Sequence, residues 1–455
     1  MTRLVTAASA PWLFLGAVAL IAAGHTLIDW VTVVASGVST GYGEGAVAHA
    51  GQIVARGGDP YAAEAAGTFV SANYPPLAYV IEALGASLGP FTALRIANIA
   101  ALCAVAALAA WRARASPPVA VALGASFLAL FPVAAWGSGA RVDPIAVAFT
   151  AFAVVTASAD PRRAALAGVF AALAIAAKPT AAVPLAVVLA YLLWRERPVA
   201  LRFGAAMVVA SLVVLMVVLV RFDAAGLWQH LVAYNSFPYD IRNPVLLVIL
   251  GLVLIGSFVV FAWLVADGRM RAYLIGTLGV VALGGHEGAT INYLLDLAAA
   301  SCLALAPMVA SEGRGRAPAL FAAQLIGTLI LSTLGPFAPP AQATLAARAA
   351  AASSLPAGPI YAEDSGPLIA AGIEPIIDDS YVWARLVALG VRVDDVTPRV
   401  RSGGFAAVVA DVPLDKLADA AHFEQQRWPA ELAAAVLDRY RLDRHEGTLW
   451  IYVPR

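Results

Sequence analysis

A carboxylate held beside a hydroxyl can take its proton, and a lysine or arginine can steady an anionic leaving group. This 455-residue sequence places such groups singly among long apolar runs. Glu44 heads the segment EGAVAHAGQIVA, in which Ala46, Val47, Ala50, Ile53 and Val54 share one face. That is the pattern of a helix lying in a lipid–water interface, with a carboxylate favoured at its first turn by the helix dipole. Asp143 stands in GARVDPIAVAF, two residues after Arg141. An aspartate before proline also reads as a helix cap beside a snorkelling arginine. Lys178, in AIAAKPTAAVPL, is an isolated cation with Pro179 breaking the helix behind it. It either snorkels to the interface or meets a phosphate.

Two further stretches carry polar groups beside apolar runs. GGHEGATINYLLDLAAA sets His286 and Glu287 in a loop that leads into Asn292, Tyr293 and Asp296. Helical spacing would put Asn292 and Asp296 on one face. An acid inside a span is a functional candidate by default, and Asp29, near the end of the first run, is similar. LWQHLVAYNSFPYDIRN mixes Trp228, His230, Tyr234 and Asn235. Aromatics and amides suit sugar recognition, although residues of an interfacial aromatic belt need no such role.

The elements that must position these groups follow from composition. The chain is 61% hydrophobic and 13% charged, against about 25% charged in soluble domains, so it is read as an integral membrane protein. A net charge of zero without a basic block gives no footprint for nucleic acid. Cys103 and Cys302 lie in apolar runs and read as small buried hydrophobes. There is no phosphate-loop or dinucleotide motif and no internal repeat.

The pattern predicts a multi-span α-helical membrane protein of about eleven spans, with interfacial helices in the first outer loop and a small C-terminal α/β soluble domain. The spans fall near 11–34, 97–111, 118–136, 144–158, 164–177, 180–194, 203–220, 244–265, 272–284, 291–310 and 318–336. The piece 76–90, bounded by Pro75-Pro76 and Gly89-Pro90, is read as half-inserted, and the first run as an uncleaved span. Arg3, Arg112 with Arg114, Arg162 with Arg163, Arg195 with Arg197, Arg269 with Arg271, and Arg314 with Arg316 mark every second connection. By the positive-inside rule these face the cytoplasm, as does the amino terminus. Connections 35–95, 137–143, 221–243 and 284–290 then face outward. Residues 1–352 form the membrane domain and 353–455 an extracytoplasmic one, with 337–352 a linker or short helix. In the latter, GPIYAED, GFAAVVADV and GTLWIYVP read as strands, and DSYVWARLVALG and WPAELAAAVLDRY as helices.

Taken in order, these segments resemble GT-C glycosyltransferases. EGAVAHAGQIVARGGDPY followed by NYPPLAYVIEALGASLGPFTALRIANI is similar to the first outer loop of bacterial members related to aminoarabinose–lipid A transferase and to protein O-mannosyltransferases. In those, an acidic residue heads an interfacial helix, a Gly-Asp or Gly-Asn turn follows, and a Pro-Pro-Leu segment leads to an arginine. Here these are Glu44, Gly58-Asp59, Pro75-Pro76-Leu77 and Arg95. GARVDPIAVAFTAFAV resembles the segment bearing the second acid, AIAAKPTAAVPLAV the lysine segment, and GATINYLLDL a late Asn-Tyr segment. The resemblance covers residues 10–310. Many relatives carry two adjacent acids at the helix head, whereas Tyr42-Gly43 precedes a single Glu44 here. That weakens the case for a divalent metal, which wants more oxygen ligands.

The resemblance implies a polyprenyl-phosphate sugar donor, an acceptor hydroxyl on a lipid, glycan or protein, a single inverting displacement, and a place in a bacterial plasma membrane. It makes Glu44 the expected general base and Asp143 a second acid, holding the acceptor or orienting Glu44. Lys178, Arg95, Arg141 and His286 are the expected ligands of the donor phosphate. Asp29, Tyr74, Tyr234, Asn235, Asn292, Tyr293 and Asp296 are the expected substrate-binding residues, and no cofactor is assigned. The competing class is a transporter or flippase of a lipid-linked or small polar solute, which the absence of inverted repeats and paired broken helices disfavours. A third is a module docking a cell-envelope partner through the C-terminal domain.

Overall fold

The computed structural model describes residues 10–65, 67–114, 116–310, 316–334 and 341–455; Arg3, Arg314 and residues 337–340 of the expected linker lie outside them. The apolar runs fold as helices. The first part of the chain holds α1 (Ala10–Ser36), α2 (Glu44–Ala55), α3 (Leu77–Leu84), α4 (Thr92–Ala113), α5 (Pro117–Ala129), α6 (Phe131–Trp136) and α7 (Asp143–Thr156). Then come α8 (Pro161–Ala177), α9 (Ala182–Arg195), α10 (Arg197–Arg221), α11 (Ala224–Leu231) and α12 (Arg242–Val265). The bundle closes with α13 (Gly268–Leu283), α14 (Leu295–Ala310) and α15 (Ala317–Leu334).

Among the described residues, Ala10–Ser36, Thr92–Ala113, Arg197–Arg221, Arg242–Val265 and Ile291–Val309 are long and apolar enough to cross a bilayer. The faces of α10 and α12 explain why they must meet lipid. Val209, Val213, Met216, Val217 and Val220, with Ile249, Leu252 and Val253, are all exposed, an apolar belt that water would not tolerate. The chain is a multi-pass membrane protein. At eight residues, α3 is about 12 Å long and does not cross. The run 118–136 is not one helix: Leu130 takes extended ψ and α6 restarts with Pro132, whose ring and missing N–H forbid a continuous ladder.

Small residues set the packing. α8 lies against α7 and α10, presenting Ala164, Ala167, Gly168, Ala171 and Ala174, all buried. A methyl group at Gly168 would come within 2.5 Å of the Phe203 carbonyl. α14 runs through the centre of the bundle, touching α4, α5, α7, α12 and α13. Connections marked by arginine meet at one end, where Arg112 pairs with Asp267 at 3.1 Å and Arg269 with Glu196 at 2.8 Å.

At the other end sits the C-terminal part, reached through α16 (Gln342–Ser353). Its sheet comprises β1 (Ile360–Ala362), β2 (Ala407–Ala410), β3 (Tyr440–Glu446) and β4 (Leu449–Pro454) in the order β1-β2-β4-β3. β1 and β2 are parallel and the remaining pairs antiparallel. Around it lie α17 (Gly366–Ala370), α18 (Ser380–Ala388), α19 (Val396–Arg401), α20 (His422–Arg427) and α21 (Ala430–Arg439). Tyr361, Trp383, Phe405 and Trp428 fill its core.

This part closes over α2. Ser71 N–H donates to Asp378 at 2.8 Å, Phe69 N–H to the Ile376 carbonyl at 2.8 Å, and the His49 ring meets Asp378 at 3.2 Å. Glu44 through Gly51 are therefore all buried: the segment expected to lie free in the interface is covered on its second face. Gly45 is the closest approach, where a Cβ would fall 2.3 Å from both the Gly366 nitrogen and the Ser365 hydroxyl. Gly45→Ala should cost about 1–3 kcal/mol by overpacking. The expected result is a lower unfolding temperature in detergent, with faster amide exchange across residues 365–378.

Candidate active site

The head of α2 is built around a buried ion pair. Glu44 Oε2 accepts from Arg95 Nη2 at 2.8 Å and from the Thr40 amide at 2.8 Å, while Oε1 accepts from the Ala140 amide at 2.6 Å. Arg95, on α4, also donates to the carbonyls of Val33 and Val38 at 2.9 and 2.8 Å. Both side chains are essentially inaccessible, at 1% and 0% exposure. Burial alone would raise the Glu44 carboxyl; Arg95, then Arg141, with the hydrogen bonds from Arg95 and Thr40, outweigh it and hold it below its ordinary range. A carboxylate so placed is a weak base, and it does not line the cavity described next. Glu44, the expected base, and Arg95, an expected phosphate ligand, are thus bonded to each other.

Beyond this knot lies a cavity of about 550 Å³. Its walls come from all four connections expected to face one way, from the α8–α9 junction and from the C-terminal part. Arg141 reaches it past Gly43, whose positive φ of 86° suits glycine. A Cβ there would sit 2.7 Å from Arg141 Nη1. The Arg141 guanidinium donates to the Tyr42 carbonyl and lies 5.4 Å from the Trp136 ring. No carboxylate lies within ion-pair distance of it among the described residues. Lys178 caps α8 in extended conformation, with its ammonium 2.5 Å from Asp143 Oδ1 and 4.5 Å from the Tyr293 ring centre. Asn292 Nδ2 donates to the same Asp143 oxygen at 2.8 Å.

Tyr74, Asn235 and His286 also line the cavity. Asn235 spends its amide on the Asn73 and His230 carbonyls, both at 3.0 Å, and the His286 ring meets the Phe237 carbonyl at 3.2 Å. Three expected substrate ligands do not reach it. Asp29 pairs with His25 one turn away on α1, at 2.9 Å. Tyr234 is buried against Phe69 and His230, its hydroxyl accepting from Gln229 at 2.6 Å. Asp296 was expected to share a helical face with Asn292. A 3-10 turn over Ile291–Leu294 precedes α14, so the spacing of one α-turn does not apply, and Asp296 is buried in the bundle.

Sequence reading missed the contribution of the C-terminal part: Asp379, Tyr381, Val382 and Phe423 line the cavity. Asp379 accepts hydrogen bonds from the Tyr42 hydroxyl and, at 2.9 Å, from the Val382 amide. Burial pushes its carboxyl up to about 6 against these bonds. Among the described residues, no three of His, Cys, Asp and Glu are grouped to hold a metal ion.

A helical bundle, short helices at the head of its first loop, a charged cavity at that end and a small sheet closing over it make up a fold that is also found in solved structures of ArnT. Among solved structures, ArnT from Cupriavidus metallidurans in the apo state aligns with a TM-score of 0.62 at 14% identity, over 95% of this chain and 97% of that one. ArnT from the same organism bound to undecaprenyl phosphate aligns with a TM-score of 0.59 at 15% identity, with the same coverage. At these identities the likeness is one of fold. No protein-family model and no curated protein matches the chain.

The Glu44–Arg95 pair generates a prediction distinct from that of a catalytic base. Glu44→Gln strands a buried guanidinium and should cost about 3–5 kcal/mol of stability, seen as a lowered unfolding temperature. The folded Glu44 value lies below the ordinary 4.5. Its ionised form therefore adds stability above the unfolded carboxylate range, and that gain is lost as pH falls through the folded value. Thermal scans from pH 7 downward should show less acid-side loss in the variant than in the wild type.

Proposed function

We propose that the protein is a membrane glycosyltransferase that moves a sugar from a polyprenyl-phosphate donor to an acceptor hydroxyl, on the outer face of the bilayer. The observation that carries this reading is Arg141, a cavity-lining guanidinium with no carboxylate partner among the described residues, beside the Lys178–Asp143 pair. A cation kept unpaired in a pocket next to lipid-facing helices suits a lipid-borne anion. An ArnT structure of the same fold carries undecaprenyl phosphate, which supports a polyprenyl phosphate here.

In this reading Arg141 and Lys178 hold the donor phosphate and take up the charge that develops as the sugar–phosphate bond breaks. Asp143, bonded to Asn292, keeps Lys178 in place until the phosphate arrives. Tyr293 gives the ammonium an aromatic face. Positive-inside orientation puts the arginine-marked connections in the cytoplasm and the cavity outside. It implies about eleven crossings, a membrane domain over 1–352 and an extracytoplasmic domain over 353–455. A transporter would need a path from the cavity through the bundle. The central α14 instead fills that route with Leu295, Ala298, Ala299, Ser301, Cys302 and Leu305, all buried.

Radiolabelled polyprenyl-phosphate sugars tested with the purified protein should lose their sugar; movement across vesicles without bond breakage would favour the transporter. Arg141→Gln and Lys178→Ala should each raise the donor concentration for half-maximal rate, by about 10–100-fold for loss of a charge-assisted contact of 1.5–3 kcal/mol. Variants with unchanged donor dependence would remove these residues from the phosphate site.

A further inference from the structure

The transferase reading needs the Arg141 guanidinium to stay open to the cavity, and no acid holds it there. Its backbone is fixed, since Asn98 Nδ2 donates to the carbonyls of Gly139 and Arg141 at 2.7 and 2.8 Å. Its side chain rests on the Tyr42 carbonyl and near the Trp136 ring. Glu44 stands close behind. A Cβ at Gly139 would sit 3.1 Å from Arg141 Cγ and 3.5 Å from Glu44 Oε1, so the arginine stem and that carboxylate flank the same glycine. Opposite charges this near attract strongly out of water. A guanidinium released from the Tyr42 carbonyl would swing toward Glu44 and away from the cavity.

What holds Tyr42 is its side chain. The hydroxyl donates to Asp379 Oδ1 and accepts from the Tyr381 amide at 2.6 Å. Asp379 is itself fixed by the Val382 amide at 2.9 Å. The Tyr42 ring lies 3.9 Å from the Arg427 guanidinium and edge-on to Phe423 at 5.8 Å. Arg427 in turn donates to the buried Glu363 at 2.8 Å. These contacts all come from the C-terminal part, whereas the Tyr42 carbonyl belongs to the first outer connection.

We infer that Tyr42 is a positioning residue for the lipid phosphate: clamped by Asp379 and Tyr381, it keeps its carbonyl under Arg141, so that the seating of the C-terminal part sets the affinity of the donor site. The inference rests on the transferase reading. It gives the sheet domain a part in donor binding that needs no contact between that domain and the phosphate. It also reverses a simple expectation. Asp379 lines the cavity as a carboxylate, and on charge alone its removal would strengthen binding of an anion. If Asp379 serves to anchor the Tyr42 hydroxyl, removing it weakens that binding instead.

The test measures binding of undecaprenyl phosphate to the full chain in nanodiscs. Turnover is followed with undecaprenyl-phosphate-linked mannose, glucose or arabinose, whichever the wild type consumes. Tyr42→Phe keeps the ring and should weaken binding about tenfold, as for one lost hydrogen bond, raising the donor KM with kcat unchanged. Made on top of Arg141→Gln, the same substitution should weaken binding no further, because its effect passes through Arg141. Asp379→Ala should match Tyr42→Phe. Asp379→Asn, which removes the charge but keeps an oxygen for the Tyr42 hydroxyl and a cap for α18, should bind as the wild type does. The Asp379 pair carries the test by itself where Tyr42→Phe does not fold. Unchanged binding in Tyr42→Phe, a further loss in the double variant, tighter binding by Asp379→Ala, or a fall in kcat at constant KM overturns the inference and leaves the donor site standing. Failure of the wild type to bind undecaprenyl phosphate or consume any donor overturns the transferase reading, and the inference with it.

Discussion

The buried bond between Glu44 and Arg95 is the constraint on which the rest of this end of the molecule depends. One carboxylate and one guanidinium, both sealed from water, draw together the end of α1, the head of α2, the 139–141 loop and α4. Neither charge is affordable alone in such a place. Because the pair is closed, Arg141 is left without a carboxylate among the described residues and passes Gly43 into the cavity. The free cation at the site is thus a consequence of the satisfied one behind it.

A second constraint is the way the C-terminal part is seated. It meets α2 where Gly45 allows backbone contact, pairs with the chain at Phe69, and returns Asp379, Tyr381 and Phe423 to the cavity. Tyr42 joins the two: its carbonyl accepts from Arg141, its hydroxyl bonds Asp379, and its ring lies 3.9 Å from the Arg427 guanidinium. Tyr42, two residues before Glu44, therefore links the cation side of the cavity to the wall contributed by the sheet domain.

Much of the architecture was legible because lipid imposes a coarse rule: long apolar runs become helices, and arginine marks their ends. The pieces that escaped have local causes. After Tyr440 the edge strand β3 reads RLDRHE, with Leu442 its one apolar residue, and so lacks an apolar signature. The break at Leu130 and the 3-10 turn before α14 interrupt runs that composition alone leaves continuous. At the site, Lys178, Asp143, Arg141, Asn292 and Tyr293 were legible as isolated polar groups beside apolar helices. The pairing of Glu44 with Arg95 was not, since a carboxylate at a helix head looks the same in sequence whatever it bonds. Nor was Asp379, which in sequence is an ordinary helix cap distant by more than 300 residues from its partner Tyr42.

The central claim is that Arg141 and Lys178, rather than the Glu44–Arg95 pair, receive the phosphate of a lipid donor. A structure of the protein with undecaprenyl phosphate bound tests it most directly. The account predicts phosphate oxygens within hydrogen-bond distance of the Arg141 guanidinium and the Lys178 ammonium, with Arg95 still joined to Glu44. Phosphate held on another surface, with both cations unengaged, would contradict it.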